Sequence, residues 1–276
     1  MVNIGKHNRL PVAKIVDFGV YLDAGNGVEI LLPSRYIQTP LNVGDEIDVF
    51  VYTDSEDRLI ATTENPFAQV GEFAFLEVVD VNSVGAFLDW GLPKNLLVPF
   101  REQKVKMREG GVYPVYLYLD DLTKRIVATA KIDKYLGNVI PEYERGDEVS
   151  ALVLQQTPIG YRVIVDNLHN GMIYENELFR NLEIGDTIKA FVKNVRDDGK
   201  IDLTLSGNVA ERVGALAERI LNHVKINGGA VPMSDKSSPE EIQAKFQCSK
   251  KDFKKALGHL FKERKILIGS DGIKLV

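Results

Sequence analysis

The 276-residue sequence predicts a mainly β protein, with three tandem five-stranded barrels followed by a small domain of helices and a hairpin. Three observations predict this fold class. Landmark residues recur at fixed offsets, short β-branched runs fill the chain up to residue 208, and helical periodicity begins only near residue 209. The first two observations indicate repeated β domains, and the third indicates a last domain of another type.

The internal repeat depends on three series of landmarks: a glycine in the second strand, a glycine in the turn before the fourth strand, and a cation before the fifth strand. Their members are Gly19, Gly85 and Gly160; Gly44, Gly110 and Gly185; and Arg58, Arg125 and Lys200. Both glycine series have offsets of 66 and 75 residues, and the cation series agrees within one residue. Shared offsets of this kind indicate three copies of one domain.

Each repeat consists of short strand-like runs between turn residues. The second repeat predicts five strands, near 72–81, 84–90, 95–99, 112–120 and 124–130. Five strands in so small a domain favour an OB-type barrel. The lead segments QVGEFAFLEVVDV and ERGDEVSALVLQQ mark the starts of repeats two and three. We therefore expect three barrel domains over 1–66, 67–138 and 139–208, and a fourth domain over 209–276.

Three helices are predicted in the fourth domain. The first has apolar residues at helical spacing: Val213, Leu216, Ala217, Ile220, Leu221 and Val224. The second follows Ser238, an N-cap with Pro239 at the first helical position and Glu241 completing a capping box. The third follows Ser249, and its buried face is expected to contain Phe253, Leu257, Leu260 and Phe261.

The ending ILIGSDGIKLV places turn residues between two β runs and predicts a hairpin. Helices followed by a hairpin resemble a winged helix-turn-helix domain, a fold widely used on nucleic acid. The exposed start of its third helix carries four lysines, Lys250, Lys251, Lys254 and Lys255, as candidates for contact with phosphates or a major groove. The alternatives are a solvated face that balances nearby acids and a protein-docking surface.

Charge separates the fourth domain from the barrels. The net charge is −5, but residues 211–276 carry 13 Lys and Arg against 8 Asp and Glu. The preceding 210 residues carry 21 against 31, a net of −10. An acidic body excludes indiscriminate polyanion binding, which needs a broad positive field. Any nucleic-acid site in the barrels is therefore expected to be local.

Composition and single residues exclude other classes. With 45% hydrophobic and 26% charged residues, the chain has an ordinary globular composition, and without an apolar signal core we expect it to be cytoplasmic. The single cysteine, Cys248, excludes an intrachain disulfide and is expected to be a buried thiol. The histidines are scattered at His7, His169, His223 and His259, and turn chemistry explains the adjacent Asp120 and Asp121. We expect no enzyme activity, no cofactor and no metal site.

The strand order and motifs of all three repeats resemble the S1 RNA-binding domain. The resemblance is best in repeat two, in the glycine–aromatic strand VGAFLDW. Repeat one has Phe18 and Tyr21 at the two aromatic positions, whereas repeat three has Ile159 and Arg162 there. The histidine common on the third strand is replaced in the three repeats by Pro33, Pro99 and Tyr174.

The resemblance implies that single-stranded RNA stacks its bases on exposed aromatics, with cations near its phosphates. The candidate RNA-binding residues are Phe18, Tyr21, Arg58, Phe87, Trp90, Arg125, Tyr161, Tyr174 and Lys200. The glycine of the second strand would bend that strand and let a base approach its backbone. The alternatives are burial of each aromatic in a small core, solvated strand-end charges at Arg58 and Arg125, and structural roles for the residues of repeat three.

Three S1-like barrels and a winged helix resemble the conserved virulence factor B family over essentially the whole chain. The resemblance implies a cytoplasmic regulator that binds single-stranded RNA, acts on gene expression after transcription and has no membrane partner. Two alternatives stay open. One is an interaction protein that docks on the ribosome or on RNA-processing proteins, and the other is a transcriptional regulator whose winged helix binds duplex DNA.

Overall fold

A computed structural model describes residues 2–175, 178, 181–205, 209–246, 248–269 and 272–276. Over these residues the strands form three closed five-stranded barrels, followed by helices and a three-stranded sheet, which confirms the predicted fold class. The chain divides into two compact units, Met1–Tyr135 and Leu136–Val276. No helix in the described part of the chain is long and apolar enough to cross a bilayer.

Barrels 1 and 2 belong to the first unit and share one topology. The strands of barrel 1 are β1 (Lys6–Val16), β2 (Gly19–Asp23), β3 (Glu29–Pro33), β4 (Glu46–Thr53) and β5 (Leu59–Thr62). Those of barrel 2 are β6 (Phe73–Val81), β7 (Gly85–Leu88), β8 (Leu96–Pro99), β9 (Val112–Leu119) and β10 (Ile126–Thr129), each inside its predicted range. In both barrels the third and fifth strands pair in parallel, and the other pairs are antiparallel.

Barrel 3 lies in the second unit and repeats this order. Its strands are β11 (Glu148–Thr157), β12 (Gly160–Val165), β13 (His169–Tyr174), β14 (Thr187–Val195) and β15 (Ile201–Thr204). Each barrel has its own interior of β-branched and aliphatic side chains, such as Val163, Ile173 and Leu203 in barrel 3. The three interiors explain why alternating runs recur three times in the sequence.

The landmark glycine of the second strand is required by close packing inside each barrel. An added Cβ would lie 2.2 Å from the Leu32 carbonyl oxygen at Gly19, and 2.3 Å from that of Val98 at Gly85. At Gly160 it would lie 2.1 Å from the carbonyl oxygen of Ile173. The neighbouring third strand therefore occupies the space, so the expectation that a base approaches this glycine is wrong.

The second landmark closes the turn before the fourth strand. Gly44 has φ +96° and donates its N–H to the Val12 carbonyl at 2.9 Å. Gly110 and Gly185 make the same hydrogen bond to Val78 and Val153, each at 2.8 Å. In all three barrels the register of the first strand shifts directly after that valine. The recurring offsets thus mark a recurring bulge and turn.

The fourth domain contains α1 (Val209–Ile226), β16 (Ala230–Val231), α2 (Pro239–Phe246), α3 (Lys250–Lys262), β17 (Ile266–Gly269) and β18 (Gly272–Leu275). The capping box is present, because the Glu241 N–H donates to Ser238 Oγ and the Ser238 N–H donates to Glu241 Oε2. Ser249 caps α3 by accepting the Asp252 N–H. The strands β17 and β18 pair as the predicted hairpin, whose turn residues at 270 and 271 lie outside the described residues.

One expectation for α3 is wrong. Phe253, Leu257 and Leu260 are buried as expected, but Phe261 is 54% exposed. Eight residues after Phe253, Phe261 has rotated to the edge of the buried face. Cys248 is buried between α2 and α3, and this burial raises the pKa of its thiol to about 11.

Candidate nucleic-acid interface

In each barrel a row of outward-facing side chains runs in register across the five strands, and we call it the outer row. It includes the candidate residues Tyr21 in barrel 1 and Phe87 in barrel 2. In barrel 1 the row runs through Lys14, Tyr21, Leu31, Ile60 and Tyr52, each paired with the next. Cross-strand neighbours lie on the same face of a sheet, so these five side chains form a continuous band. The barrel interior lies on the other side of the same strands.

The strand-one end of this row is a half-exposed aromatic patch. Phe18 is 56% exposed, and its ring centroid lies 6.4 Å from that of Tyr21 in an edge-to-face arrangement. The Lys14 ammonium lies over the Tyr21 ring, 4.5 Å from its centroid, and also pairs with Glu29. Asp54 raises the pKa of the Arg58 guanidinium, with smaller electrostatic contributions that include Tyr21. We call Lys14, Phe18, Tyr21 and Arg58 the barrel 1 patch.

The cations predicted to meet phosphates are paired with carboxylates. Arg58 lies 2.7 Å from Asp54 and 3.1 Å from Glu56, and Lys200 lies 2.6 Å from Asp198. Arg125 pairs with Asp57, and its hydrogen bond is the main cause of the lowered pKa of that carboxyl group. The Arg58 and Lys200 pairs are exposed and lie within one barrel, and such pairs contribute little to stability, so a phosphate can compete for these two cations.

The outer row of barrel 2 keeps the aromatic positions and loses the lysine. It runs through Asp80, Phe87, Leu97, Val127 and Tyr118. Phe87 is partly buried, and Asp80 occupies the position of Lys14. Tyr118 stacks on Tyr135 with centroids 6.0 Å apart, and burial raises the pKa of Tyr118 to about 12. Barrel 2 therefore offers a ring to a base beside a carboxylate that repels phosphate.

The outer row of barrel 3 is polar and runs through Gln155, Arg162, Met172, Asp202 and Asn194. Arg162 donates to Asn170 Oδ1 at 2.7 Å. Arg196 donates to Asp202 at 2.5 Å and to the Tyr174 hydroxyl. A cavity of about 230 Å³ is lined by Arg162, Asn170, Gly171, Met172, Arg196 and Lys200.

Sequence reasoning misplaced one residue of this barrel and missed others. Tyr161 is only 6% exposed and packs in the interior of barrel 3, so its assignment to an RNA-binding surface is wrong. The alternation of side chains along a strand could have shown this. Arg162 occupies the position of the outward-facing Tyr21, so the adjacent Tyr161 must face inward. Lys14 and Arg196 were missed, because only the folded structure brings Lys14 beside Tyr21 and Arg196 beside Tyr174.

Trp90 is also not a surface residue. It is 2% exposed and lies in the junction between barrels 1 and 2, where its ring meets two rings on β4. The centroid distances are 5.7 Å to Phe50 and 6.3 Å to Tyr52. The Trp90 indole N–H donates to the Lys94 carbonyl at 2.6 Å. Burial of this kind leaves no ring face for a base, so Trp90 is corrected to a junction residue.

The four lysines of α3 differ from the barrel cations. Lys251, Lys254 and Lys255 are exposed and Lys250 is partly so, whereas Asp252 and Phe253 between them are buried. Among the described residues, no ion pair joins any of the four to a carboxylate. Their charge is therefore available to a phosphate without displacing a partner.

Comparisons with protein families match two of the three barrels and the fourth domain. The S1 domain family matches residues 4–64 and 70–131, and the CvfB-like winged helix domain matches residues 218–275. Barrels 1 and 2 are thus S1 domains and the fourth domain is a winged helix, and both are nucleic-acid-binding types. These families are not enzymatic ones.

The chain belongs to the conserved virulence factor B family. It is 30% identical to the uncharacterized protein YitL of Bacillus subtilis, over 95% of this chain and 90% of that protein. It is 27% identical to conserved virulence factor B of Staphylococcus saprophyticus, over 92% of this chain and 88% of that protein. A multidomain protein with nucleic acid binding domains from Streptococcus pneumoniae is 26% identical, with a TM-score of 0.42, and the match covers 99% of this chain and 98% of that one.

Proposed function

We propose that this protein binds single-stranded RNA and regulates gene expression after transcription, in the cytoplasm. The observation that supports the proposal best is the barrel 1 patch, where Phe18 and Tyr21 present ring surface and Lys14 adds a cation over one ring. Stacking on aromatic rings with cations beside the backbone is how OB-type barrels bind single strands. The matches to S1 and winged helix domains, which are nucleic-acid-binding types, also support a nucleic-acid ligand.

The contribution of each barrel follows from its outer row. Barrel 1 combines rings with Lys14 and Arg58, barrel 2 offers Phe87 beside Asp80, and barrel 3 offers Arg162, Tyr174 and Lys200. We expect stacking to dominate in barrel 1 and electrostatic contacts to dominate in barrel 3. Winged helix lysines supply the remaining phosphate contacts.

The test is a binding comparison of single-stranded RNA, single-stranded DNA and duplex DNA at one salt concentration. We expect RNA to bind at least as tightly as single-stranded DNA and more tightly than duplex DNA. Preference for the duplex would instead favour a transcriptional regulator led by the winged helix. If none of the three binds, a protein that docks on the ribosome or on RNA-processing proteins becomes the better hypothesis.

The winged helix has its own test, because its four lysines, which pair with no carboxylate in the part of the chain that the structure describes, favour an electrostatic role. Changing Lys250, Lys251, Lys254 and Lys255 together to Gln should flatten the plot of log affinity against log salt by about 0.7 per lost contact to a single strand. Base preference should not change, since phosphate contacts carry no sequence information. An unchanged slope on RNA and on duplex DNA would assign the winged helix to protein docking.

A further inference from the structure

The junction between barrels 1 and 2 is built like an interior and not like a linker. Phe50, Tyr52 and Ala68 share one buried cluster with Trp90, Leu92 and the barrel 2 core. Trp90 meets both β4 rings nearly at right angles, at 76° and 80°, the favoured edge-to-face geometry. Separating the two barrels would expose one indole and two further rings to water, which is unfavourable.

Polar contacts surround this aromatic centre. The Lys94 ammonium donates to the Asp54 carbonyl at 2.6 Å and lies 3.5 Å from Asp57. Asp57 also accepts a hydrogen bond from Arg125, so one carboxylate of barrel 1 holds two cations of barrel 2. Asp57 has φ +61°, a left-handed conformation that Asp tolerates in turns. The sequence expectation for Arg125 was contact with RNA, but its observed partner lies on the neighbouring barrel.

The connecting segment, residues 63–72, is fastened to both barrels. The Val70 N–H donates to the Gly5 carbonyl of the barrel 1 side at 2.9 Å. On the barrel 2 side, the Phe67 N–H donates to Trp90 at 2.8 Å and the Gly71 N–H donates to Leu117 at 2.8 Å. The Phe67 side chain itself is 66% exposed.

We propose that Trp90, Lys94 and Arg125 are positioning residues that lock barrels 1 and 2 together, so that the Tyr21 and Phe87 faces bind one RNA strand at a fixed separation. This inference depends on the proposed function, because it assigns RNA to both faces. A rigid pair binds a long strand more tightly than two independently moving barrels, since the second contact loses less entropy. Trp90 and Arg125 thus support binding without touching the ligand.

The test uses the full-length chain with Trp90→Ala and two measurements. Chymotrypsin cleavage after the exposed Phe67 reports the lock, because a segment fastened at both ends resists cleavage and a released one does not. Affinity for oligouridylates of about 5 and about 20 nucleotides reports the function, since one barrel accommodates the shorter strand and two are needed for the longer. We expect faster cleavage, about tenfold weaker binding of the longer strand and unchanged binding of the shorter one.

A milder junction variant, with its own control, keeps the test decisive if Trp90→Ala does not fold. The double change Asp57→Asn/Lys94→Gln removes the ionic contacts and keeps the aromatic centre, and Asn tolerates the left-handed turn. Its control is the matched double change Asp133→Asn/Lys104→Gln, which removes an exposed ion pair of 3.2 Å that lies within barrel 2 and away from the junction contacts. The control should change neither cleavage after Phe67 nor the ratio of the two affinities.

The outcomes separate the lock from the proposed function. Unchanged cleavage in both junction variants would overturn the lock. Faster cleavage with undiminished affinity for the longer strand would overturn its role in binding. If the wild-type chain binds neither strand, the proposed function fails and the positioning role fails with it, whereas the cleavage result still decides whether the two barrels are locked.

Discussion

Barrels 1 and 3 share a backbone plan and differ in what they display. Both have the second-strand glycine, the turn glycine and the first-strand bulge at equivalent places. The outer row of barrel 1 ends on Lys14 and Tyr21, while that of barrel 3 has Gln155 and Arg162 at those positions. The repeat therefore conserves the groups that close the barrel, and the surface varies from one copy to the next.

The shared plan gives the largest expected effect. Gly19→Ala and Gly160→Ala should each lose about 3 kcal/mol or more of unfolding free energy, because the new methyl group meets a backbone carbonyl that cannot move aside. Gly258→Ala, in a helix with open space around it, is the control and should stabilise by up to about 1 kcal/mol. Denaturant unfolding measures all three. A large loss of unfolding free energy at only one of the two glycines would show that barrels 1 and 3 do not share this packing requirement.

The next effect concerns stacking in barrel 1. Tyr21→Ala should lose about 1–3 kcal/mol of single-stranded RNA binding, while Tyr21→Phe should retain most of it, because the ring provides the contact. Titration by fluorescence anisotropy at two salt concentrations measures both variants. The loss should be nearly independent of salt. Wild-type affinity in a folded Tyr21→Ala protein would remove the barrel 1 patch from the interface.

A smaller effect is expected from barrel 3. Arg162→Gln should reduce the slope of log affinity against log salt by about 0.7, which corresponds to one lost phosphate contact. Its matched control is Lys189→Gln, an exposed cation of the same barrel that lies 2.8 Å from Glu148. A salt-independent loss at Arg162 would show that the guanidinium stacks on a base as Tyr21 does, and the difference between the two barrels would disappear.

The smallest expected effect is a pH dependence confined to barrel 3. His169 is buried, its Nδ1 has no hydrogen-bond partner among the described residues, and burial lowers its pKa. Tyr143 packs on its ring, and Asp166 is the charged group that opposes the shift. The unfolded chain binds the proton more readily, so stability present above pH 6.5 should be lost as the pH falls below it.

Hydrogen exchange resolved by barrel measures this loss. Protection of β12 and β13 should fall below pH 6.5, while that of β2 and β3 should stay constant. His169→Phe should make barrel 3 insensitive over the same range, because a ring that cannot be protonated replaces the imidazole. If protection falls equally in barrels 1 and 3, a group other than His169 causes the loss of stability.

Periodicity within single repeats predicted much of this structure. Equal offsets predicted three barrels, and helix caps predicted the starts of α2 and α3. The outward positions of Tyr21 and Phe87 also followed from the repeat. Whether these and the other candidate side chains bind RNA stays a prediction, as do the four domain boundaries.

Contacts between repeats were beyond that reasoning. Trp90 is buried by Phe50 and Tyr52, which are about forty residues away in the preceding barrel, and no local pattern reports such a partner. The same holds for Arg125, whose charge looks like a strand-end cation until Asp57 of barrel 1 is placed beside it. The alternation along a strand predicts which side chains point out of the barrel, but not which other residues pack against them.

The aromatic junction also sets where this chain can be divided. Cleavage of the chain after residue 66 would expose the Trp90 indole on one fragment and the Phe50 and Tyr52 rings on the other. Exposed apolar surfaces of this kind drive aggregation. Expressed alone, either fragment should be poorly soluble, whereas a fragment ending at Tyr135 keeps the junction intact. The first two barrels should therefore be kept together in any fragment or domain exchange.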